Sequence, residues 1–538
     1  MIRIIYCVLL MHIWIIESSA SVYYVNPSNG GSNSNLGLNG SPWATIQKAA
    51  STVEAGDTVY VQAGTYTEKI TFANSGTSDA LITFIGVGAV TIQEPTNTSV
   101  WSGTLNLIAK SYIRIRNFSI QNAYWFGIYV EACDHIYLEN NKTFNTGASG
   151  ISVWNSSNIF AAHNTVRKAC YQSLSTGSQE CITFSGVSNF EIHHNEVFES
   201  GGSTNGGEGI DTKEACSFGK VYNNVVHDLD RLGIYADSWD KELHDIEIYN
   251  NRVFNCSDGI VISSENGGTA SAINIYNNIT YNNDNFGIVV SNYDLDGPRN
   301  DIRIMNNTVY NNGFGDANTA WGGGIIVYST NVSNISIFNN IVASNDAMQI
   351  SDKSGVSSVS VDHNLIHGYK GLNWTNEVKG INGIEGNPLF VDVDGVDNIA
   401  NNVDDNLNVA LASPAINAGV NTDAPIFDFD DYKRPAEGVV DMGAYESNSI
   451  PLAIVKNKTT LPTEELVQLY PNPNNGDFKL KLNSPLEAID IFDLNGNRIQ
   501  QYSNVNVGII TVSIHSSGLY LIRVNSECGS QTLRIVVN

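Results

Sequence analysis

The chain has 538 residues, with 28 Lys and Arg against 54 Asp and Glu, a formal charge of −26. No basic face is available to neutralise phosphates, so nucleic acid is excluded as a partner, and an acidic polymer would need a local Lys/Arg cluster or a bound cation to hold it. Only 15% of residues are charged, and the abundance of Asn, Gly, Ser and Thr suits stacked turns and polar sheets.

Arg3 precedes an apolar run over residues 4–16, and Ser18, Ser19 and Ala20 follow. A charged start, a short hydrophobic stretch and a small-residue cleavage site read as a secretory signal peptide over residues 1–20. The run is too short to span a bilayer and no later stretch is long enough, so no membrane span is expected. Cys7 lies inside the run, which argues against a lipid-anchored cysteine. Beyond it lie Cys133, Cys170, Cys181, Cys216, Cys256 and Cys528. Cys170 and Cys181 flank one polar loop and can pair in an exported protein. No CxxC pair has zinc spacing, and structural roles are expected for all six.

Residues 43–50, after Ser41 and Pro42, form an amphipathic helix pattern. Two strand patterns follow, at residues 56–61 and 64–66. A helix over the open end of the first coil removes a bare sheet edge.

From about residue 110 to 370 the chain repeats. A turn recurs at Asn140-Asn141, His163-Asn164, His194-Asn195, Asn223-Asn224, Asn250-Asn251, Asn277-Asn278, Asn306-Asn307, Asn339-Asn340 and His363-Asn364. A second register opens a strand at Gly127-Ile128, Gly150-Ile151, Gly209-Ile210, Gly233-Ile234, Gly259-Ile260, Gly287-Ile288 and Gly324-Ile325. Two residues after each Ile stands Val130, Val153, Thr212, Ala236, Ile262, Val290 or Val327. Alternation puts these two rows on one face, the interior, and the residues between them toward solvent. Each coil buries its apolar face only against neighbours. The pattern predicts an all-β, right-handed parallel β-helix over residues 21–380, with Asn side chains laddered inside the turns.

Residues 381–447 leave the pattern. Asn387-Pro388, Ser413-Pro414, Arg434-Pro435 and Asp441-Met442-Gly443-Ala444-Tyr445-Glu446 resemble a C-terminal extension common on exported bacterial β-helix proteins. Residues 448–465 read as a linker. In residues 466–538, Tyr470-Pro471-Asn472-Pro473 opens a small β-sandwich-like domain. Ile491 to Ile499 reads as a hairpin with an Asn495-Gly496 turn, and Gly518-Leu519-Tyr520 and a terminal basic-apolar strand follow. This order resembles the C-terminal sorting domain of the type IX secretion system. That resemblance implies a Bacteroidota source, export by the type IX secretion machinery, and a secreted or cell-surface location.

Charge on the outward positions concentrates in two adjacent coils. One carries Glu208, Asp211, Lys213 and Glu214; the next carries Arg231, Tyr235, Asp237 and Trp239, with Glu265 one coil later. An acidic residue, a Lys and then an Arg in this order resemble the alginate lyase and chondroitinase B group of parallel β-helix polysaccharide lyases. The resemblance implies β-elimination on a uronate-containing poly- or oligosaccharide, by glycosidic cleavage or by loss of water at a terminal uronate, and export from a Bacteroidota cell suggests a plant or algal glycan. Lys213 is then the base and Arg231 the group that acidifies the C5 proton, with calcium on Glu208 and Asp211 and no organic cofactor. The histidine-containing stretch expected around the Arg is replaced by Leu232-Gly233-Ile234-Tyr235.

Two other readings stand beside it. Asp211 and Asp237 lie two residues and one coil apart, so their Cα atoms are about 6 to 8 Å apart, near the spacing of about 6.5 to 9.5 Å between the carboxyls of an inverting glycoside hydrolase. Alternatively, Lys213 and Asp237 simply pair across the ladder, and the protein is a non-catalytic glycan-binding module. Tyr235, Trp239, Tyr328 and Trp154 offer faces for sugar stacking. Structural roles are expected for His227 and His244, and Lys353 lies five coils from Lys213, too far to share one sugar. A monomer is expected.

Overall fold

Apolar alternation builds three short strands per coil, and successive coils stack in parallel. The computed structural model describes residues 20–447 except 96–99, 172–179, 202–205 and 316–320. It also describes residues 467–537 except 471–475, 483–485, 493–497, 515, 517 and 527–528. The signal-peptide run, the linker, the Asn495-Gly496 turn and Cys528 lie outside the described residues. The chain divides into two compact units, Met1–Ser449 and Ile450–Asn538.

In the first unit, eleven parallel strands from Ile70–Thr71 to Met348–Asp352 make one face. The remaining coil strands form a continuous sheet of 24, joined where Ile82–Gln93 pairs with both Ser111–Arg116 and Ser119–Gln121. The Ile row is in direct register, as in Ile151↔Ile182, Ile182↔Ile210, Ile210↔Ile234 and Ile234↔Ile260. Every one of these side chains is fully buried, and each contributes about 1.5–3 kcal/mol of apolar burial. The glycine before the Ile is dictated by space: a Cβ on Gly209 would lie 2.4 Å from Gly233 O and 2.5 Å from Val226 Cγ1.

The two-residue turns divide the work. The first residue of each pair takes the left-handed conformation, with φ between 45 and 56, which Asn tolerates better than most residues. The second builds the expected ladder. Asn251 Nδ2 donates to Asn278 Oδ1 (2.9 Å) and Val221 O (2.9 Å), while Asn251 Oδ1 accepts from the amide and Nδ2 of Asn224 (both 3.0 Å). The same pattern runs from Asn141 through Asn364.

The cap helix is Ile46–Ala50, shorter than residues 43–50. Thr45 is its N-cap, accepting from Lys48 N at 3.1 Å, and Glu68 accepts from the amides of Ile46 and Gln47. Trp43 stays outside, stacked on Tyr23 at 4.7 Å. Residues 381–447 dock against the coils through buried Arg434. It donates to Glu446 Oε2 (3.0 Å), Gly443 O (2.9 Å) and Asn277 Oδ1 (3.3 Å).

Two expectations need correction. The outward residues between the core rows are not at solvent: Asp211, Tyr235, Val261, Val289 and Ile326 are buried. Leu232, Phe286, Ala347, Met348 and Tyr328 pack with the apolar ones as a second apolar layer. Cys170 and Cys181 are buried and in hydrogen-bond contact, not joined as a disulfide.

The second unit holds a three-stranded antiparallel sheet, Val467–Tyr470, Asp477–Leu482 and Gly508–Ser513. A four-stranded one comprises Arg498–Val505, Leu486–Phe492, Gly518–Ser526 and Gly529–Val537. Phe478, Leu480, Ile489, Ile491, Ile522 and Val524 share one core, as in a sandwich.

Candidate active site

Strand alternation turns Asp211 and Lys213 of Ile210–Lys213, and Tyr235 and Asp237 of Ile234–Asp237, to the outward side of the eleven-stranded face. Register sets Asp211 beside Tyr235 and Lys213 beside Asp237. They floor a cleft of about 820 Å³ whose lining includes ten residues singled out by sequence: Trp154, Glu208, Asp211, Lys213, Glu214, Arg231, Tyr235, Asp237, Trp239 and Glu265.

Lys213 does not turn to Asp237. Its Nζ lies 2.6 Å from Glu180 Oε1 and 3.7 Å from Asp211 Oδ2, one coil back and on its own strand, and 6.0 Å from the centroid of the Trp154 ring. Burial opposes its charge, but Glu180 and Asp211 outweigh burial and raise the lysine pKa. The ammonium is thus locked in its protonated form. Arg231 donates Nε and Nη2 to Glu208 Oε1 at 2.9 and 2.6 Å. Both cations of the cleft are already paired.

The carboxyls behave in the opposite sense. Asp211 is buried, with Oδ1 lacking a partner; burial and the nearby Glu180 push its pKa well up against the pull of Lys213. Asp237 is only 4% exposed. Burial raises it to about 7, opposed by the Trp239 amide that its Oδ1 accepts at 2.9 Å and reinforced by Glu265. Burial and Glu180 also raise Glu208, whose Oε2 has no partner. The Tyr235 hydroxyl donates to Glu265. Trp239, 40% exposed, offers an open ring face.

Sequence reasoning missed Glu180, Asp258 and Tyr293, which also line the cleft. Glu180, Glu208 and Asp258 occupy one row, two positions before Ile182, Ile210 and Ile260. The signal was present, but Cys181 replaces the glycine of the Gly–Ile pair in the Glu180 coil and hid that coil's register.

The donors do not fit the calcium ion that the lyase resemblance implies on Glu208 and Asp211. Among the described residues no three carboxylates bring ligand oxygens within 4.8 Å of one another. The counter-charge comes from Lys213 and Arg231. The remaining candidates lie elsewhere. His227 stacks between Phe198 and Phe254 at 5.0 and 4.9 Å, and His244 pairs with Asp245 at 2.8 Å. Tyr328 joins Trp321 and Trp374 around Lys353, whose Nζ is 5.2, 4.7 and 5.5 Å from their ring centroids.

Comparisons with known proteins agree with this architecture. The family described as a right handed beta helix region matches residues 103–274, and the secretion system C-terminal sorting domain matches residues 468–538. "Uncharacterized protein YwoF" of Bacillus subtilis (strain 168) is 30% identical over 390 residues, 65% of this chain and 81% of that protein. Among solved structures, pectate lyase Pel9A aligns with a TM-score of 0.47 and 16% identity, over 80% of this chain and 97% of that one. The complex of XylC with xylose aligns with a TM-score of 0.44 and 12% identity, over 79% and 98%. An alginate lyase from Paenibacillus sp. str. FPU-7 aligns with a TM-score of 0.31 and 13% identity, over 60% and 93%. At these values the structural likenesses assign no chemistry. The extent of the match to YwoF does assign kinship: the chain belongs to the same family as YwoF, and carries a right-handed β-helix region and a secretion sorting domain of its own.

Proposed function

We propose that the protein is an exported carbohydrate-active enzyme that hydrolyses a glycosidic bond, with Asp211 as general acid and Asp237 as general base. The observation that carries this reading is the contrast within the cleft: two outward carboxyls on adjacent coils have raised pKa values, while the lysine is clamped as an ammonium. Hydrolysis with inversion needs one carboxyl that holds its proton and another that ionises near the working pH. Asp211 suits the first role and Asp237, at about 7, the second. Their diagonal placement, two residues and one coil apart, corresponds to Cα atoms about 6 to 8 Å apart, near the carboxyl spacing of inverting hydrolases. Trp154, Trp239 and Tyr293 supply faces for sugar rings.

The elimination reading loses its base, because a lysine held by Glu180 at 2.6 Å keeps its proton and has no lone pair to accept the one at C5. The cleft is also lined by nine acidic side chains against two cations, which repels a uronate carboxylate. A neutral segment of the glycan fits these walls better.

The test is incubation of the full chain with a panel of neutral and uronate-containing poly- and oligosaccharides. The expected result is new reducing ends of inverted anomeric configuration, without ultraviolet-absorbing unsaturated ends. Asp211→Asn and Asp237→Asn should each lower the rate at least about 100-fold, while Lys213→Arg, which keeps the ion pair, retains a measurable rate. Unsaturated ends that disappear in Lys213→Arg would restore the lyase reading; binding without turnover on every glycan would leave a glycan-binding protein.

A further inference from the structure

Three histidines meet on the outer surface, where Ser188–His193 and its following turn lie beside the preceding coil. His163 and His194 occupy the left-handed turn position of successive coils, with φ of 56 and 54. A histidine there is by itself an ordinary turn residue, as His363 beside Asp362 illustrates. What differs is the adjacent column. Among the neighbouring coils the residue before the turn is Glu139, Ala162, Tyr222 or Tyr249, and only in this one is it His193. Strand register places His193 beside Ala162, whose methyl group leaves the space between the columns open.

The imidazoles use that space. His163 and His194 stack at 4.7 Å, and His193 Nδ1 lies 2.9 Å from His194 Nδ1. One ring nitrogen from each of the three lies within 4.8 Å of the other two. Zinc takes imidazole nitrogens at about 2.0–2.1 Å in a tetrahedron, which needs nitrogens about 3.4 Å apart. His163 and His194 are exposed, so modest ring rotation closes the difference.

We propose that His163, His193 and His194 form a binding site for a divalent transition cation of the zinc class, with its remaining position open to water. The site lies apart from the cleft residues and joins two consecutive coils. Those coils lead on to Glu180 and Glu208 at the cleft, so the cation would staple the coils that carry them.

The experiment is Zn²⁺ titration of the full, chelator-stripped chain by calorimetry, together with thermal unfolding at saturating Zn²⁺. The natural sequence supplies conservative variants: His163→Asn and His194→Asn install the residue that adjoining coils already use at that turn, and His193→Ala copies Ala162. The wild type should bind Zn²⁺ at micromolar concentration and unfold at a higher temperature with the metal. Each variant should keep its metal-free unfolding temperature and lose affinity by more than about tenfold. No micromolar binding by the wild type, or an unchanged isotherm in the His163→Asn/His194→Asn double variant, overturns the proposal. Any Zn²⁺ held by the acidic cleft instead survives in the double variant and is thereby recognised.

Discussion

Under the proposed hydrolysis, Asp237 makes opposite demands on stability and on catalysis. Its folded pKa of about 7 lies well above the ordinary aspartate value, so between about pH 4 and 7 the folded chain binds the proton more tightly than the unfolded chain does. Stability from this group is present below the ordinary value and is lost as pH rises through the folded value, with a slope of up to about 1.4 kcal/mol per pH unit. Asp237→Asn, whose Oδ1 still accepts from the Trp239 amide, should therefore be more stable than wild type at pH 8 and not at pH 4. Denaturant midpoints at the two pH values measure this, and equal midpoints at pH 8 would contradict it. Catalysis runs the other way: a base must be ionised, so the rate should rise with pH through about 7. Lys213 shows why charge chemistry was only partly legible from sequence. The register with Asp237 is as the repeat predicts, yet the ammonium turns to Glu180, in a coil where the glycine signal is missing. Lys213→Met should cost about 3–5 kcal/mol, because it leaves Glu180 buried without its cation. A loss below about 1 kcal/mol in chemical denaturation would show that the pair is not a buried one.

The turn is the element that the sequence announces most clearly, and its two positions should respond differently to substitution. Asn251→Ala removes four hydrogen bonds and strands the Asn224 amide and the Val221 carbonyl inside the solenoid. Buried unsatisfied groups cost about 1–3 kcal/mol each, so a loss of about 3–5 kcal/mol is expected. Asn250→Gly keeps the left-handed backbone, φ 54, and should change stability by less than about 1 kcal/mol. Hydrogen exchange of the Asn224 amide should accelerate in the first variant and not in the second. Sequence spacing exposed this ladder because it runs unbroken through nine turns. A second ladder, Asn283–Asn312–Asn345 closing on Gln349, stands five residues after Asn278, Asn307 and Asn340. It went unread because it begins only in the later coils. The helix boundary failed for a local reason: Trp43 gains more by stacking on Tyr23 and donating to Asn35 O than by extending a helix that Thr45 already caps.

At the scale of the whole solenoid, the fold followed from periodicity, whereas the site depended on which outward positions are covered, and alternation says nothing about cover. The outward column that runs through Asp211 and Tyr235 continues as Val261, Val289 and Ile326 beneath an apolar layer, and toward its far end stand Trp321, Tyr328 and Trp374 around Lys353. Trp321 and Trp374 are exposed and stack at 6.2 Å. Five coils at about 4.8 Å each separate Lys353 from Lys213, about 24 Å, the reach of several sugar units. A long glycan bound in the cleft and laid along the coil axis meets these rings; a short one does not. Trp321→Ala with Trp374→Ala should therefore raise KM several-fold for a polymeric substrate and leave kcat and the KM for a short oligosaccharide unchanged, since each ring contributes uniform binding remote from the reacting bond. Equal effects on long and short substrates would mean that the rings only support the fold. No effect on either would mean that the glycan runs across the coils rather than along them.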